Sequence, residues 1–518
     1  MEAIGIRNLD IVTLVIYFAV TIGIGIWCSM KLKTTEGYFV GGRKIPGWAV
    51  GISMLGTAIS SVTFLAYPGS AFQGNWSYLV PGLTVPIAAV VGVFVFVPFY
   101  RRIRLVSAFE YAERRFGAWA RVYGCITWSL NAAYRMGIIL FLVSLLIRKM
   151  TGYDLYSTII VMGILVTVYT VMGGIEAVIW TDVIQTIVLL MGGILCIVIV
   201  FYQIPGGFGA VFSQAIEGQK FNITVNTQMS LYMKTIWVLM LYGLFQNLQE
   251  FACDQTKIQR YCAASSEKGA KTSVWIGGFG CIPVWIIFMF VGTSIWAFYQ
   301  SSPGLLPADI LPDDVFPHFI LTQLPAGLSG LVIAASLAAA MSSIDSCMNG
   351  VSTVLTTDIY QRFVSKDRDD SHYLTMARVI TGLSGVLMIA ASLFLAWIVL
   401  NDKIELESIL GLGFFIYSVL ACGVGGMYFL GFFTVSANSK GVMVGIILAM
   451  IITVWMLLSE LGFLPKVAES QFHRLTINVF SNIASFVVGY LFSYLFEAPK
   501  EEKLDGLTVW TNKDKPVL

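Results

Sequence analysis

The amino-acid sequence predicts an all-α polytopic membrane protein with about 13 transmembrane helices. Three observations predict it. Of 518 residues, 57% are hydrophobic and 12% charged, with a mean hydropathy of +0.79, whereas a soluble chain carries roughly 25% charged residues. Apolar segments of about 17 to 30 residues, the length that crosses roughly 30 Å of hydrocarbon, recur from end to end. Two of those segments are interrupted by glycine and polar residues in matching positions, the mark of a chain built from two repeats.

Composition also excludes whole classes. With a net charge of +2 and its basic residues confined to short loops, the chain offers no surface for nucleic acid. Cys28, Cys125, Cys196, Cys253, Cys262, Cys281, Cys347 and Cys422 lie in or beside apolar segments without a CxxC. They read as small buried hydrophobes, neither a disulfide frame nor a metal site. His318, His372 and His473 fall in loops far apart in sequence, with no metal-ligand or nucleophile spacing, which speaks against an enzyme. The amino-terminal stretch MEAIGIRNLD lacks a basic n-region and a small-residue cleavage site follows nowhere before Cys28, so the first span is expected to stay.

The spans begin near residues 9, 46, 79, 120, 155, 179, 233, 273, 327, 374, 407, 440 and 474. Lys31, Lys33, Arg43 and Lys44 follow the first, and Arg101, Arg102, Arg104, Arg114, Arg115 and Arg121 the third. The same alternate side later holds Lys257, Arg260, Lys268, Lys271, Arg362, Lys366, Arg368, Arg378, Lys440 and the lysines of the tail, most of the 32 basic residues. The positive-inside rule then puts the amino terminus outside the cell membrane and the carboxyl terminus in the cytoplasm. Residues 1–498 form one membrane domain, and 499–518 a cytoplasmic tail too short for a signalling output domain. Two long outer loops, about 204–232 and 299–326, have the length to fold over an entrance.

Span two carries Gly51, Gly56, Thr57, Ser60, Ser61 and Thr63 ahead of Pro68 and Gly69, and span seven carries Gly243, Gln246, Asn247, Gln249 and Glu250. Spans two to six (46–203) and seven to eleven (233–431) are therefore two blocks of five, each opening on an interrupted helix. An odd block is inverted relative to the next, and interrupted helices in matching positions of inverted repeats point to a site at the membrane midplane. Taken singly, either interruption reads as close helix packing.

Span four contains Arg135, in LNAAYRMGIILFLV. Arginine keeps its proton, and its planar fork pairs carboxylates in a bidentate way; the plainer alternative is snorkelling, or pairing with Asp182 or Glu250. Span nine, Gly327 to Gly350, carries Ser342, Ser343, Asp345 and Ser346. A carboxylate at the centre of a span costs roughly 2.5–3.5 kcal/mol and calls for a partner, an ion or water. At 100° per residue Ala339, Ser342, Ser343 and Ser346 share one face, with Asp345 on its flank beside Ser342. Oxygen donors without thiolate or imidazole suit hard cations, so one or two small-cation sites are expected here. The alternative is a packing face whose hydroxyls bond back to the preceding turn.

The strings Tyr38-Phe-Val-Gly-Gly, Pro46-Gly-Trp, Gly51-Ile-Ser, Ser60-Ser-Val-Thr-Phe, Tyr169-Thr-Val-Met-Gly-Gly-Ile-Glu-Ala-Val-Ile-Trp-Thr-Asp182, Asp254-Gln-Thr-Lys-Ile-Gln-Arg260 and Ala338-Ala-Ala-Met-Ser-Ser, continuing through Asn349 to Asp358-Ile-Tyr, stand in one order along the chain. In this it resembles the sodium:solute symporter family over nearly its whole length. The resemblance implies a LeuT-like five-plus-five inverted repeat with flanking helices, and alternating access coupled to one or two Na⁺. It implies a first sodium site at Gly56, Ile59, Ala339, Ser342 and Ser343, where carbonyls freed by unwinding meet hydroxyls. A second, present in some members, would use Asp182, Ser342, Asp345 and Ser346. Asp345 stands where such members have serine, which strengthens that site or replaces its ion with a proton shared by Asp182 and Asp345.

In the family's sialic-acid branch an arginine at the place of Arg135 binds the substrate carboxylate, and Ser60 and Thr63 match that branch too; Ala58 and Gly82 depart from it. A sugar acid such as sialic acid is thus the leading substrate, with a neutral sugar or polyol, or an H⁺-coupled variant, as alternatives. Phe72 and Tyr78 are candidates to stack on a sugar ring and Asn247 to bond it. The expected partners are a small-molecule solute and the lipid bilayer, with no nucleic acid and no obligate protein. A passive channel is told apart by flux, since only a symporter accumulates solute under a sodium gradient.

Overall fold

The computed structural model describes residues 7–511 apart from 31, 104, 224–225, 308–309, 311 and 402–408. Of the basic residues counted above, Lys31, Arg104, Lys513 and Lys515 lie outside the described residues. The helices that carry the argument are α1 (Asn8–Ser29), α2 (Gly47–Ala58), α3 (Ser61–Gln73), α4 (Trp76–Ile103), α5 (Ala118–Thr151), α6 (Leu155–Gln203), α7 (Ile236–Cys253), α8 (Gln255–Ala263), α9 (Glu267–Ser301), α10 (Leu328–Val354), α11 (Asp370–Leu400), α12 (Ile409–Ala421), α13 (Val424–Phe433), α14 (Ser439–Glu460) and α15 (Thr476–Ser493).

Among the described residues nine helices are long and apolar enough to cross a membrane, or eleven if α2 with α3 and α12 with α13 each form one bent span. Geometry supplies the rest. At 49 residues α6 is roughly 74 Å long at 1.5 Å per residue, more than twice the hydrocarbon thickness. Two helices meet within it at Gly174, whose φ of 60° and ψ of −167° suit glycine, so it divides into the two spans expected from near 155 and 179. A Cβ there would also stand 2.9 Å from the Tyr38 carbonyl oxygen. The last span is α7, whose Gln246, Asn247, Gln249 and Glu250 lower its hydropathy. That brings the count to the expected thirteen.

Both helices that open the blocks of five are broken. Between α2 and α3, Ile59 and Ser60 are extended (φ −109°, ψ 104° and φ −104°, ψ 179°), and the axis bends by 53°. Between α7 and α8, Asp254 is extended (φ −74°, ψ 122°) and its side chain accepts from the Thr256 amide at 2.9 Å, capping the new helix. A third break, at Cys422 (φ 35°) and Gly423 (φ 75°), bends α12 against α13 by 50°.

α10 is buried almost throughout and packs against α1, α2, α5, α6 and α11. Its first turn is tied to α1: Asp10 accepts from the Gly327 and Gly330 amides at 2.7 and 2.9 Å, where the helix leaves donors free. The 204–232 loop folds onto the body, because Lys220 donates to the carbonyls of Phe72 (2.6 Å) and Gly74 (2.9 Å) at the end of α3. At the opposite, basic end a surface helix, Ala108–Phe116, meets the returning carboxyl-terminal segment. Tyr111 donates to the Leu507 carbonyl (3.1 Å), the Val509 amide to that of Phe432 (3.0 Å) and the Trp510 indole to that of Phe433 (2.9 Å).

Candidate functional site

The break after α2 frees backbone carbonyls, and α10 lies across it. Ser343 donates to the Thr57 carbonyl at 3.1 Å, while Ile59, Ala339, Ser342 and Ser343 are all buried. Gly56 is required by close approach: a Cβ there would sit 2.4 Å from Thr186 Oγ1 and 3.1 Å from Ser342 Oγ. Gly56, Ile59, Ala339, Ser342 and Ser343 are thus on facing stretches of α2 and α10, a donor set of carbonyls and hydroxyls that suits Na⁺.

Beside them sits a buried ion pair. Asp182 of α6 accepts from Ser342 Oγ at 2.5 Å, from Ser53 Oγ, and from Arg260 Nη2 at 3.0 Å. Arg260 also donates to Thr57 Oγ1 (2.7 Å), Ser346 Oγ (2.6 Å), Ser53 Oγ (2.9 Å) and the Thr256 carbonyl (3.0 Å). Asp182, Ser342 and Ser346 therefore belong to one polar knot closed by a guanidinium. Asp345 points elsewhere. It accepts from Tyr169 at 2.7 and 2.8 Å and from Thr170 at 2.7 Å, both on the first half of α6, and meets no cation among the described residues.

A cavity of about 220 Å³ opens between α3, α4, α5, α7, α9 and α12. Arg135, Ser60, Thr63 and Asn247 line it; Phe72 and Tyr78 do not. Phe72 stacks edge-on with Tyr299, and Tyr78 packs on Phe414, itself a wall residue, beneath the Lys234 ammonium. Asn247 is partly committed, donating to Thr84 Oγ1 (2.9 Å) and the Pro81 carbonyl (3.2 Å). Arg135 makes no hydrogen bond or ion pair among the described residues, and Asn131 Oδ1 and Tyr134 Oη beside it are buried without a partner. α5 thus presents a free guanidinium, an amide oxygen and a phenol to the same space.

Four contributors escape the sequence reading. Asn131 stands four residues before Arg135, so helical spacing is the signal for it; Tyr134, one residue before, is not on the same face by spacing and carried no such signal. By sequence Lys257 and Arg260 read as loop cations, but α8 carries both inward, Lys257 onto Glu250 and Arg260 onto Asp182. Gly82, where an amide would mark the sialic-acid branch, is covered by Trp285: a Cβ at Gly82 would sit 2.5 Å from its ring.

Comparison with known proteins agrees with this geometry. The family model of the sodium:solute symporter family matches residues 38–449. The sodium/sialic acid symporter SiaT of Proteus mirabilis is 32% identical over 494 residues, 94% of this chain and 95% of its own. The sodium/sialic acid symporter NanT of Aliivibrio fischeri is 31% identical over 521 residues, covering 99% and 98%. Among solved structures, a Na⁺-coupled sialic acid symporter in a substrate-bound outward-open state superposes with a TM-score of 0.87 at 31% identity, over 95% of this chain and 99% of that one. Mhp1, a nucleobase-cation-symport-1 family transporter in a closed conformation, shares the fold alone, at a TM-score of 0.59 and 13% identity over 90% and 97%. With broken helices, thirteen spans and these relatives, the chain belongs to the sodium:solute symporter family.

Proposed function

We propose that this sodium-coupled transporter, working by alternating access, carries a sugar acid of the sialic-acid class. The observation that carries the reading is the unpaired Arg135 in the cavity. A guanidinium cannot shed its charge and is costly to leave without a counter-ion, so the cavity is built for a carboxylate. The free groups of Asn131 and Tyr134 in the same cavity suit the hydroxyls of a polyol tail. Ser60, Thr63 and Asn247 add to the polar lining, and the relatives that span nearly the whole chain are sialic acid symporters.

Na⁺ is assigned first to Gly56, Ile59, Ala339, Ser342 and Ser343. A second ion at Asp182, Ser342, Asp345 and Ser346 requires those side chains to leave the arrangement seen here, in which Arg260 fills the Asp182–Ser346 knot and Asp345 turns to Tyr169 and Thr170; the hydroxyl-only surroundings of Asp345 favour a proton there as the second reading. Residues 46–203 and 233–431 are taken as the two inverted repeats. The amino terminus lies outside and the carboxyl terminus in the cytoplasm.

The test is uptake into proteoliposomes under an imposed sodium gradient, with labelled N-acetylneuraminic acid competed by its amide and by neutral sugars. The acid should be preferred. Arg135→Lys should erase most of that preference, about tenfold or more in affinity, because a fork becomes a point charge. Equal competition by acid and amide assigns a neutral substrate, and uptake driven by a proton gradient in sodium-free medium assigns proton coupling.

A further inference from the structure

The cavity holds two cations and one carboxylate. Lys257 Nζ is paired with Glu250 at 2.6 Å and lies over the Phe251 ring, 4.2 Å from its centroid. Gln246 Nε2 donates to the other Glu250 oxygen at 3.3 Å. Glu250 stands in α7 four residues before the break at Asp254 and Lys257 three after it, so their bond straddles the break. Arg135 and Glu250 line the same space and lie in each other's electrostatic field, yet they are not bonded here. A further carboxylate in the field of Arg135, Asp254, is committed to capping α8 and to the Trp128 indole at 3.0 Å.

Alternating access includes a leg that the carrier makes empty. While loaded, the substrate carboxylate neutralises Arg135. Once it has left, the site must close around a guanidinium that cannot deprotonate, and an unpaired charge in a closed, low-dielectric site opposes closure. We propose that Glu250 is the stand-in counter-ion. Lys257 holds it while substrate sits on Arg135, and it turns to Arg135 when the substrate leaves, the break at Asp254 supplying the freedom. This rests on the reading that the substrate's carboxylate binds Arg135. It gives Lys257 a role as well: by restraining Glu250 it keeps an internal carboxylate from competing with the external one.

Two fluxes measured in the same proteoliposomes test it. Exchange, with N-acetylneuraminic acid on both faces, never requires the empty leg; net uptake does. Glu250→Gln should lower net uptake about tenfold or more relative to exchange, since the empty carrier then closes on an unpaired charge. Glu250→Asp should restore part of the net flux. Lys257→Met should raise the substrate KM several-fold without lowering maximal exchange, and adding Glu250→Gln should abolish that rise. A net-to-exchange ratio unchanged in Glu250→Gln, loss of both fluxes together, or a KM unmoved in Lys257→Met overturns the proposal. A wild type that does not prefer the acid to its amide overturns the substrate reading instead, and this one with it.

Discussion

Arg260 is 1% exposed and spends all of its fork on protein, binding α2 through Ser53 and Thr57, α6 through Asp182, α10 through Ser346 and its own helix through Thr256. Removing it strands the Asp182 carboxylate, which breaking a buried pair prices at about 3–5 kcal/mol. Arg260→Met should therefore lower thermal stability in detergent sharply, and Asp182→Asn with Arg260→Met should be far milder than the two singles summed. Additive effects would mean that the pair is not coupled. At this scale the serines of α10 and Arg135 were legible because a polar group in an apolar run stands out against its neighbours. Arg260 was not, because a cation in a short, polar segment looks like any loop cation until its buried partners Asp182 and Ser346 are seen.

Helix breaks were legible as polar, glycine-bearing interruptions, and the double crossing of α6 followed from its length alone. The break at Cys422–Gly423 carries no polar run and gave no such signal. Connections hide their chemistry too. In the loop between α14 and α15, the His473 amide donates to the Leu231 carbonyl at 2.9 Å, and its Nδ1 accepts from the Leu475 amide at 3.3 Å. Burial first, then the charges of Arg474 and Lys234, push its pKa from the ordinary 6.5 down to about 4. Between those values the unfolded chain binds the proton and the folded one does not, so stability contributed by neutral His473 is full above about pH 6.5 and lost as pH falls toward 4. His473→Gln should flatten that limb in thermal melts from pH 4 to 7; a limb identical to wild type would assign it to other groups.

The whole molecule sets the energetics of uptake. Moving one charge through 100 mV is worth roughly 2.3 kcal/mol, so one Na⁺ moved with one monoanion gains nothing from the membrane potential. A second cation restores that drive, about fiftyfold in attainable gradient at 1.4 kcal/mol per tenfold. Uptake should thus carry inward current with a sodium Hill coefficient above one, and Asp345→Asn should lose both. Electroneutral uptake would make Asp345 a structural acceptor for Tyr169 and Thr170. The last described stretch of chain bears on the same motion. Through Leu507, Val509 and Trp510 it ties the surface helix before α5 to the end of α13. A transport motion that separated that helix from the end of α13 would have to stretch these three hydrogen bonds, so the segment would load the swing much as a return spring does.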